Sequence, residues 1–564
     1  MNNLQRQLRG IDHRGYPAYK DLRGRYRFGK YTLNIEHVQG DPFASPSNLS
    51  VEIAGDVANF PEEYYSEYHR RIALQDYLLR GFARGLDKIS FQAKGSGKSG
   101  LVAASHPGQE ILERSACLVD AKSGSVLFRF VVGFPARGRS IAAGELEKIL
   151  FELLPPIVEK QGIYARLPEK RVRDVIELAD DQKALREQME EQGLVAFVAN
   201  GSVLPRESGV SERPMRDAVP FQSPASMEVT ITLPHRGECK GMGIRKGVTL
   251  IVGGGYHGKS TLLQTLERAV YPHIAGDGRE YIATDETGMK IRAEDGRSVY
   301  REDISLFIRN LPNGKDTSDF TTLDASGSTS QASNTMEALQ AGSRLLLIDE
   351  DTSATNFMIR DELMEQVIAA KEEPIVPFIK RVGELYRQKG VSTIIVVGSC
   401  GAFFHVADTV IQMDRYLPRE ITRAAKEKAE AFPLAYEQED VSISYEQGRK
   451  VRLPRADDRN KIKVMGTDGF SYNKHQVDLR YLEQITDGEQ MLAIAKCLEY
   501  LEKKFGGKET DISVLLKDVE YLLEKQGVAG LCGRGSVPNM AMPRKLEISG
   551  CINRYIKWRI PNEK

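Results

Sequence analysis

Gly253-Gly-Gly-Tyr-His-Gly258-Lys259-Ser260-Thr261 decides the reading of this chain. It fits the phosphate-binding pattern G-x-x-x-x-G-K-[ST]. Val248-Thr-Leu-Ile-Val252 in front of it is apolar and β-branched, which predicts a buried strand. Behind it, Leu262, Leu263 and Leu266 predict one apolar face of a helix over 260–270. Strand, loop and helix in that order let successive backbone N–H groups and the helix N-terminus surround a phosphate. The expected nucleotide contacts are Gly253, Gly254, Gly255, Tyr256, His257, Gly258, Lys259, Ser260 and Thr261. Lys259 would reach the β- and γ-phosphates, as a catalytic cation, and the Ser260 hydroxyl would ligate Mg²⁺.

The 564 residues are enough for about three or four domains and a large core. The 78 basic and 78 acidic residues cancel, so whole-chain charge selects no polyanionic partner. No apolar run approaches the roughly 18 residues of a membrane span, and residues 1–10 carry no apolar signal core. The expectation is a cytoplasmic protein without a membrane partner. The cysteines at 117, 239, 400, 497, 532 and 551 are scattered, with no C-x-x-C pair, which fits reduced thiols and gives no zinc site.

Strand-like 125–132 and helix-like 143–154 and 180–192 predict an N-terminal α+β domain over 1–225. Gly, Pro and Ser gather at 205–224 and mark a boundary. The nucleotide core is expected over 226–430, beginning with the alternating run 227–233. A smaller, mainly helical C-terminal domain is expected over 431–564, with amphipathic helices at 490–505 and 514–526.

Leu345-Leu-Leu-Ile-Asp349-Glu350 reads as a buried strand ending in two acids, 90 residues after Lys259. At the carboxyl end of such a strand Asp349 can hold Mg²⁺, directly or through water, and Glu350 can polarise water for attack on the γ-phosphate. Between the two motifs stands Ala325-Ser326-Gly327-Ser328-Thr329-Ser330-Gln331. It resembles the L-S-G-G-Q-x-Q signature of ABC-class ATPases, matching at Ser326, Gly327 and Gln331 and departing at Ala325, Ser328 and Thr329. In that class the signature's small-residue turn offers N–H groups and hydroxyls to ATP held by the other subunit, here from Ser326, Gly327 and Ser328.

Asp351-Thr-Ser-Ala-Thr-Asn356 is similar to the D-loop of the same class, and 393–397 reads as the next buried strand. Where ABC enzymes place a switch histidine, this chain has Gly398-Ser399-Cys400-Gly401. Ser399 can hydrogen-bond the γ-phosphate but carries no charge. His405 reads as an ordinary loop or helix residue. Asp303-Ile-Ser305, or the acids of Arg292-Ala-Glu294-Asp295-Gly-Arg297, stand where the Q-loop glutamine is missing.

With 241–244, 247–263, 325–332 and 349–361, and the further stretches 39–47, 194–198, 219–221 and 276–280, the chain is similar over nearly its whole length to predicted ATPases of the ABC class. That resemblance implies a P-loop NTPase of α/β fold and ABC-ATPase type between family-specific terminal domains, using ATP and Mg²⁺ as a homodimer. It also implies a link to RNA in relatives.

Residues 1–30 hold Arg6, Arg9, Arg14, Lys20, Arg23, Arg25, Arg27 and Lys30 against Asp12 and Asp21, with Tyr16, Tyr19, Tyr26 and Phe28 interleaved. This composition suits single-stranded RNA or DNA. It equally suits adenine stacking, or a basic surface over tyrosines in a core. Residues 543–564 hold Arg544, Lys545, Arg554, Lys557, Arg559 and Lys564 against two acids, with Tyr555 and Trp558; a nucleic-acid contact and a solvated terminal helix are both open. The segment 93–100 fails as a second phosphate loop because Gln92 stands at the first glycine, and the basic turn 133–139 can face phosphate or serve structure. Three functions remain: an ABC-type ATPase closing around Mg-ATP, the same closure coupled to single-stranded nucleic acid, and an ATP-sensing module with little turnover that assembles a protein partner. A small-molecule kinase fits least, because it needs no signature or D-loop.

Overall fold

A computed structural model describes residues 3–361, 367, 373–432, 441–445, 448–456, 461–532 and 539–555. The chain forms two compact units, one of residues 1–181 and 522–542, the other of 182–521 and 543–564.

The first unit is α+β. Its sheet joins Gly24–Phe28, Tyr31–His37, Ser47–Ile53, Val126–Val132 and Val102–Ala103 in that order, with Cys117–Val119 also on Val126–Val132, and all pairings are antiparallel. Val126–Val132 alternates as its sequence predicts: Val126, Phe128, Phe130 and Val132 point inward. Phe128 stacks on Phe82 of the helix Tyr68–Ile89, ring centroids 4.4 Å apart. The helix expected at 143–154 opens as Ala143–Glu147, widens into a π turn at Lys148–Leu153, and continues as Leu154–Gly162. Pro155 and Pro156 lack the N–H groups that would close the ordinary ladder there.

The second unit is built on a six-stranded sheet: Gly288–Ile291, Leu345–Asp349, Ser392–Val396, Val248–Val252, Thr409–Asp414 and Leu417–Glu420. The first five are parallel and the last is antiparallel. The near-continuous apolar runs of Leu345–Asp349, Ser392–Val396 and Val248–Val252 are buried on both faces. A second, antiparallel sheet carries Glu228–Leu233, Gly237–Arg245, Leu194–Ala199 and Ile282–Thr284. Strand Leu194–Ala199 thus lies on the core's side, upstream of the loop-rich stretch near 225. Gly241 in this sheet has no room for a side chain, since a Cβ would stand 2.3 Å from the Val198 carbonyl oxygen.

The C-terminal stretch combines the helices Gly488–Phe505, Ile512–Gln526 and Lys545–Tyr555 with a three-stranded antiparallel sheet, Ile462–Val464, Gly469–Tyr472 and His475–Asp478.

Candidate nucleotide site

The strand Val248–Val252 delivers the phosphate loop, and the helix Lys259–Arg268 leaves it with Leu262, Leu263 and Leu266 fully buried. Gly253 has φ 138°, and a Cβ there would meet the Met413 carbonyl oxygen at 2.5 Å, so only glycine fits. Gly254, Gly255, Tyr256 and Ser260 are exposed, and Tyr256 is 99% exposed at the loop tip. Lys259 folds back over its own loop, Nζ donating to the carbonyl oxygens of Gly253 (2.7 Å) and Gly254 (2.9 Å). His257 Nδ1 accepts from the Arg415 amide at 3.1 Å.

One strand, Ser392–Val396, separates the loop strand from the acid strand Leu345–Asp349. At about 4.8 Å per strand, the two carboxyl ends are about 10 Å apart along the same edge. Asp349 is 8% exposed and its Oδ1 accepts from the Asp351 amide at 3.2 Å. Burial raises its pKa above the ordinary aspartate value; the Lys290 charge and the Asp351 amide hydrogen bond oppose the rise, and the charges of Asp351 and Glu483 add to it. Glu350 accepts from the amides of Gly398 (2.5 Å) and Ser399 (3.1 Å) and from the Ser399 hydroxyl. Burial pushes Glu350 up, but the hydrogen bonds from Ser399, Gly398 and Cys400 outweigh it and hold the group below the ordinary glutamate value. Ser399, expected to face the γ-phosphate, is thus spent on Glu350.

Ser326 stands at the N-cap position of the helix Gly327–Gln340 without a side-chain bond to its amides, and its Oγ lies 3.3 Å from Ser328 Oγ and 3.0 Å from Thr329 Oγ1. Ser326 is exposed and Ser328 buried. Gln331 joins this helix to the D-loop stretch: Nε2 donates to Ser353 Oγ at 2.9 Å, and Oε1 accepts from the Ala354 amide at 2.8 Å.

The P-loop domain of the ABC ATPase family matches residues 168–449, half of the 564. The chain belongs to the ABC-class ATPases. The N-terminal domain described for ATPases of the ABC class matches residues 1–164, and the MRB1590 C-terminal domain matches 461–561. The uncharacterized protein MJ1628 of Methanocaldococcus jannaschii is 31% identical over 276 residues, which are 47% of this chain and 58% of that protein. The solved structure of cbiO1 from Clostridium perfringens, part of the ABC transporter complex cbiONQ, is 15% identical with a TM-score of 0.27. It covers 42% of this chain and 93% of that one.

The structure bears on several further expectations for this ABC-class chain. Tyr16 and Tyr19 are buried and donate to the carbonyl oxygens of Phe134 (2.9 Å) and Pro135 (2.7 Å), and Tyr26 is buried against Leu22 and Gln7. None of the three presents a ring to a base, because an amphipathic tyrosine finds both a core and a carbonyl here. Arg544, Lys545 and Arg554 are tied to Glu547, Glu520 and Glu294 rather than offered to a polyanion. Lys557, Trp558, Arg559 and Lys564 lie outside the described residues. The Q-loop substitutes serve structure: Glu294 pairs with Arg554, and Asp303 caps its own turn through Ser305. His405 sits in the turn Gly401–His405, its Nε2 2.9 Å from the Phe432 carbonyl oxygen. Among the described residues no helix is long and apolar enough to cross a membrane.

Sequence reasoning missed Tyr416. It stands 55% exposed at the tip of the hairpin after Thr409–Asp414, its amide donating to the His257 carbonyl oxygen at 3.2 Å. Arg415 (φ 49°) and Tyr416 (φ 71°) form this tip without glycine, so the usual hairpin signal is absent.

Proposed function

We propose that two copies of this chain close around two molecules of Mg-ATP and hydrolyse them. The support is one arrangement: the exposed phosphate loop and the Asp349–Glu350 pair share the carboxyl edge of one parallel sheet. In this reading the amides of 253–261 and Lys259 bind the phosphates. Ser326, Gly327 and Ser328 of the partner subunit would meet the same nucleotide; Ser326 is exposed at the N-terminal end of the helix Gly327–Gln340, which suits such a contact. The buried Asp349, whose ionisation burial disfavours, suits a cation beside it, with the Ser260 hydroxyl at the helix N-terminus as the other ligand. Bound there, Mg²⁺ would neutralise phosphate charge. Glu350, held ionised by Ser399 and the 398–400 amides, orients water more than it abstracts a proton. Tyr416 and Tyr256 give the site exposed rings for a base. The three matched stretches support a three-part organisation around this core.

The test is hydrolysis by the purified chain beside Lys259→Ala and Glu350→Gln. We expect Lys259→Ala to abolish nucleotide binding. We expect Glu350→Gln to stop turnover while an ATP-bound dimer accumulates in light scattering. Turnover at the level of Glu350→Gln would favour the ATP-sensing module instead.

A second reading, coupling to single-stranded nucleic acid, rests on a loop cluster of the first unit. Backbone bonds draw its loops together: His13 N to Ile141 O (3.2 Å), Ser96 N to Ala136 O (2.8 Å) and Lys98 N to Pro42 O (2.9 Å). Phe43 (64%) and Phe91 (52%) are exposed there among exposed Arg14, Lys94, Lys98, Arg137 and Arg139. Exposed rings among cations suit stacked bases and a phosphate backbone. Single-stranded RNA binding that weakens steeply with salt and is lost in Phe43→Ala with Lys98→Glu would support it; salt-insensitive binding would not.

A further inference from the structure

The strand Gly288–Ile291 runs parallel to the acid strand, with Lys290 opposite Leu347 and Ile291 opposite Ile348. The next residue, Arg292, therefore stands alongside Asp349. Alternation along a strand gives Lys290 and Arg292 one face, shared with Leu347 and Asp349. That face looks onto the phosphate-loop helix, because Lys290 Nζ bonds Glu267 Oε1 of that helix at 2.5 Å.

Three residues of the C-terminal run 481–484 grip this corner. Tyr481 lies against the Arg292 guanidinium, 4.5 Å from ring centroid to Cζ. Glu483 Oε1 accepts from Arg292 Nη1, and Glu483 Oε2 is 4.0 Å from Lys290 Nζ. Gln484 Nε2 donates to the carbonyl oxygens of Glu267 (3.1 Å) and Gly288 (2.9 Å), while its Oε1 accepts from the Lys290 amide (3.0 Å). One short segment thus holds the phosphate-loop helix, the neighbouring strand and Arg292, which the register sets beside Asp349. The Arg292 and Glu483 side chains are 22% and 29% exposed, and among the described residues Arg292 Nε has no hydrogen-bond partner.

We propose that Arg292 senses the terminal phosphate of the nucleotide, exchanging Glu483 for a γ-phosphate oxygen, so that ATP but not ADP releases residues 481–484. This rests on the nucleotide reading above. Carboxylate and phosphate are alternative acceptors for the same planar fork, and a guanidinium cannot serve both fully. Since ADP lacks the third phosphate, the exchange makes the C-terminal stretch report which nucleotide is bound, and removal of either competitor shifts the balance in a known direction.

The test compares ADP with a non-hydrolysable ATP analogue, by calorimetry on the full chain. Arg292→Ala is expected to weaken the analogue ~10-fold or more while ADP affinity stays within about twofold. Arg292→Lys, which keeps the charge without the fork, should fall between. Glu483→Gln removes the competitor and should tighten the analogue alone. In the wild-type chain, amide exchange at 481–484 should quicken with the analogue and not with ADP. Equal shifts for both nucleotides in Arg292→Ala and Glu483→Gln, or exchange at 481–484 indifferent to the analogue, would overturn the sensor while leaving the nucleotide site standing. A wild-type chain that binds neither nucleotide would sink the site and the sensor together.

Discussion

The two ends of the chain share a composition, basic side chains with aromatics among them, and fold in opposite ways. At the N-terminal end the rings go inside and the cations stay in water. Tyr16 and Tyr19 are buried, while Arg9, Arg25 and Lys30 make ion pairs to Glu147, Glu52 and Glu159 with their own side chains 55%, 70% and 46% exposed. At the C-terminal end two of the described cations, Arg544 and Arg554, go inside as well. The Arg554 side chain is 7% exposed, its Nε donating to Glu294 Oε2 at 3.2 Å and its Nη2 to Asn334 Oδ1 at 3.2 Å. Arg544 Nη1 donates to the carbonyl oxygens of Glu286 (2.7 Å) and Gly288 (2.9 Å). Asn334 belongs to the signature helix Gly327–Gln340, so the last described helix is fastened to the element that opens with Ser326. A basic-aromatic stretch becomes surface or anchor according to whether buried carboxylates and carbonyls await it, and those belong to distant parts of the chain.

Truncating the anchor should have the largest effect. Arg554→Ala leaves Glu294 buried without its main countercharge and should cost about 3–5 kcal/mol, read as a lowered unfolding midpoint with early proteolysis at the C-terminal helices. A midpoint within a degree of wild type would erase the contrast between the two ends. The pH dependence sharpens it. Burial alone would lift Glu294, but the charges of Arg554 and Arg297 and the hydrogen bonds from Arg554 and Asn334 outweigh it and hold the group below its ordinary 4.5. Folding therefore gains from its ionisation, fully above pH 4.5, and loses that gain as pH falls through the lowered value. Stability against acid in the wild type should decline over that window, and the decline should be shallower in Arg554→Ala.

Tyr19→Phe keeps the ring in the core and removes one buried hydrogen bond, to the Pro135 carbonyl oxygen; about 1 kcal/mol should be lost in denaturant titration. The smallest change is expected at the surface. Arg25→Ala removes a pair at 2.8 Å between two well-exposed side chains and should move stability by less than about 1 kcal/mol, fading as salt is added.

The core elements were legible because their signals are local. The runs 248–252 and 345–349 are apolar without interruption, and the parallel sheet buries them on both faces. The helix expected over 180–192 runs from Glu169 to Glu191, longer because its first turns carry charged residues that dilute the periodic signal. Ser399 illustrates the limit of motif reasoning. Its position after a buried strand was readable, but its bond to Glu350 depends on two strands lying side by side. The place of Tyr416 beside the loop and that of Arg292 alongside Asp349 were not legible for the same reason: each depends on a pairing, one across a hairpin against His257, the other across the register of two parallel strands.

What the sequence by itself determined is the nucleotide loop, the acid pair and the family. Each is a short run whose chemistry needs particular residues at fixed spacing, and backbone geometry over a few residues is set locally. Only the tertiary structure decided which cations are free, which rings are exposed, and what stands beside Asp349. Those outcomes are set by the environment each side chain is buried in, and that environment is assembled from residues hundreds of positions apart, such as Glu294 with Arg554 or Arg292 with Glu483.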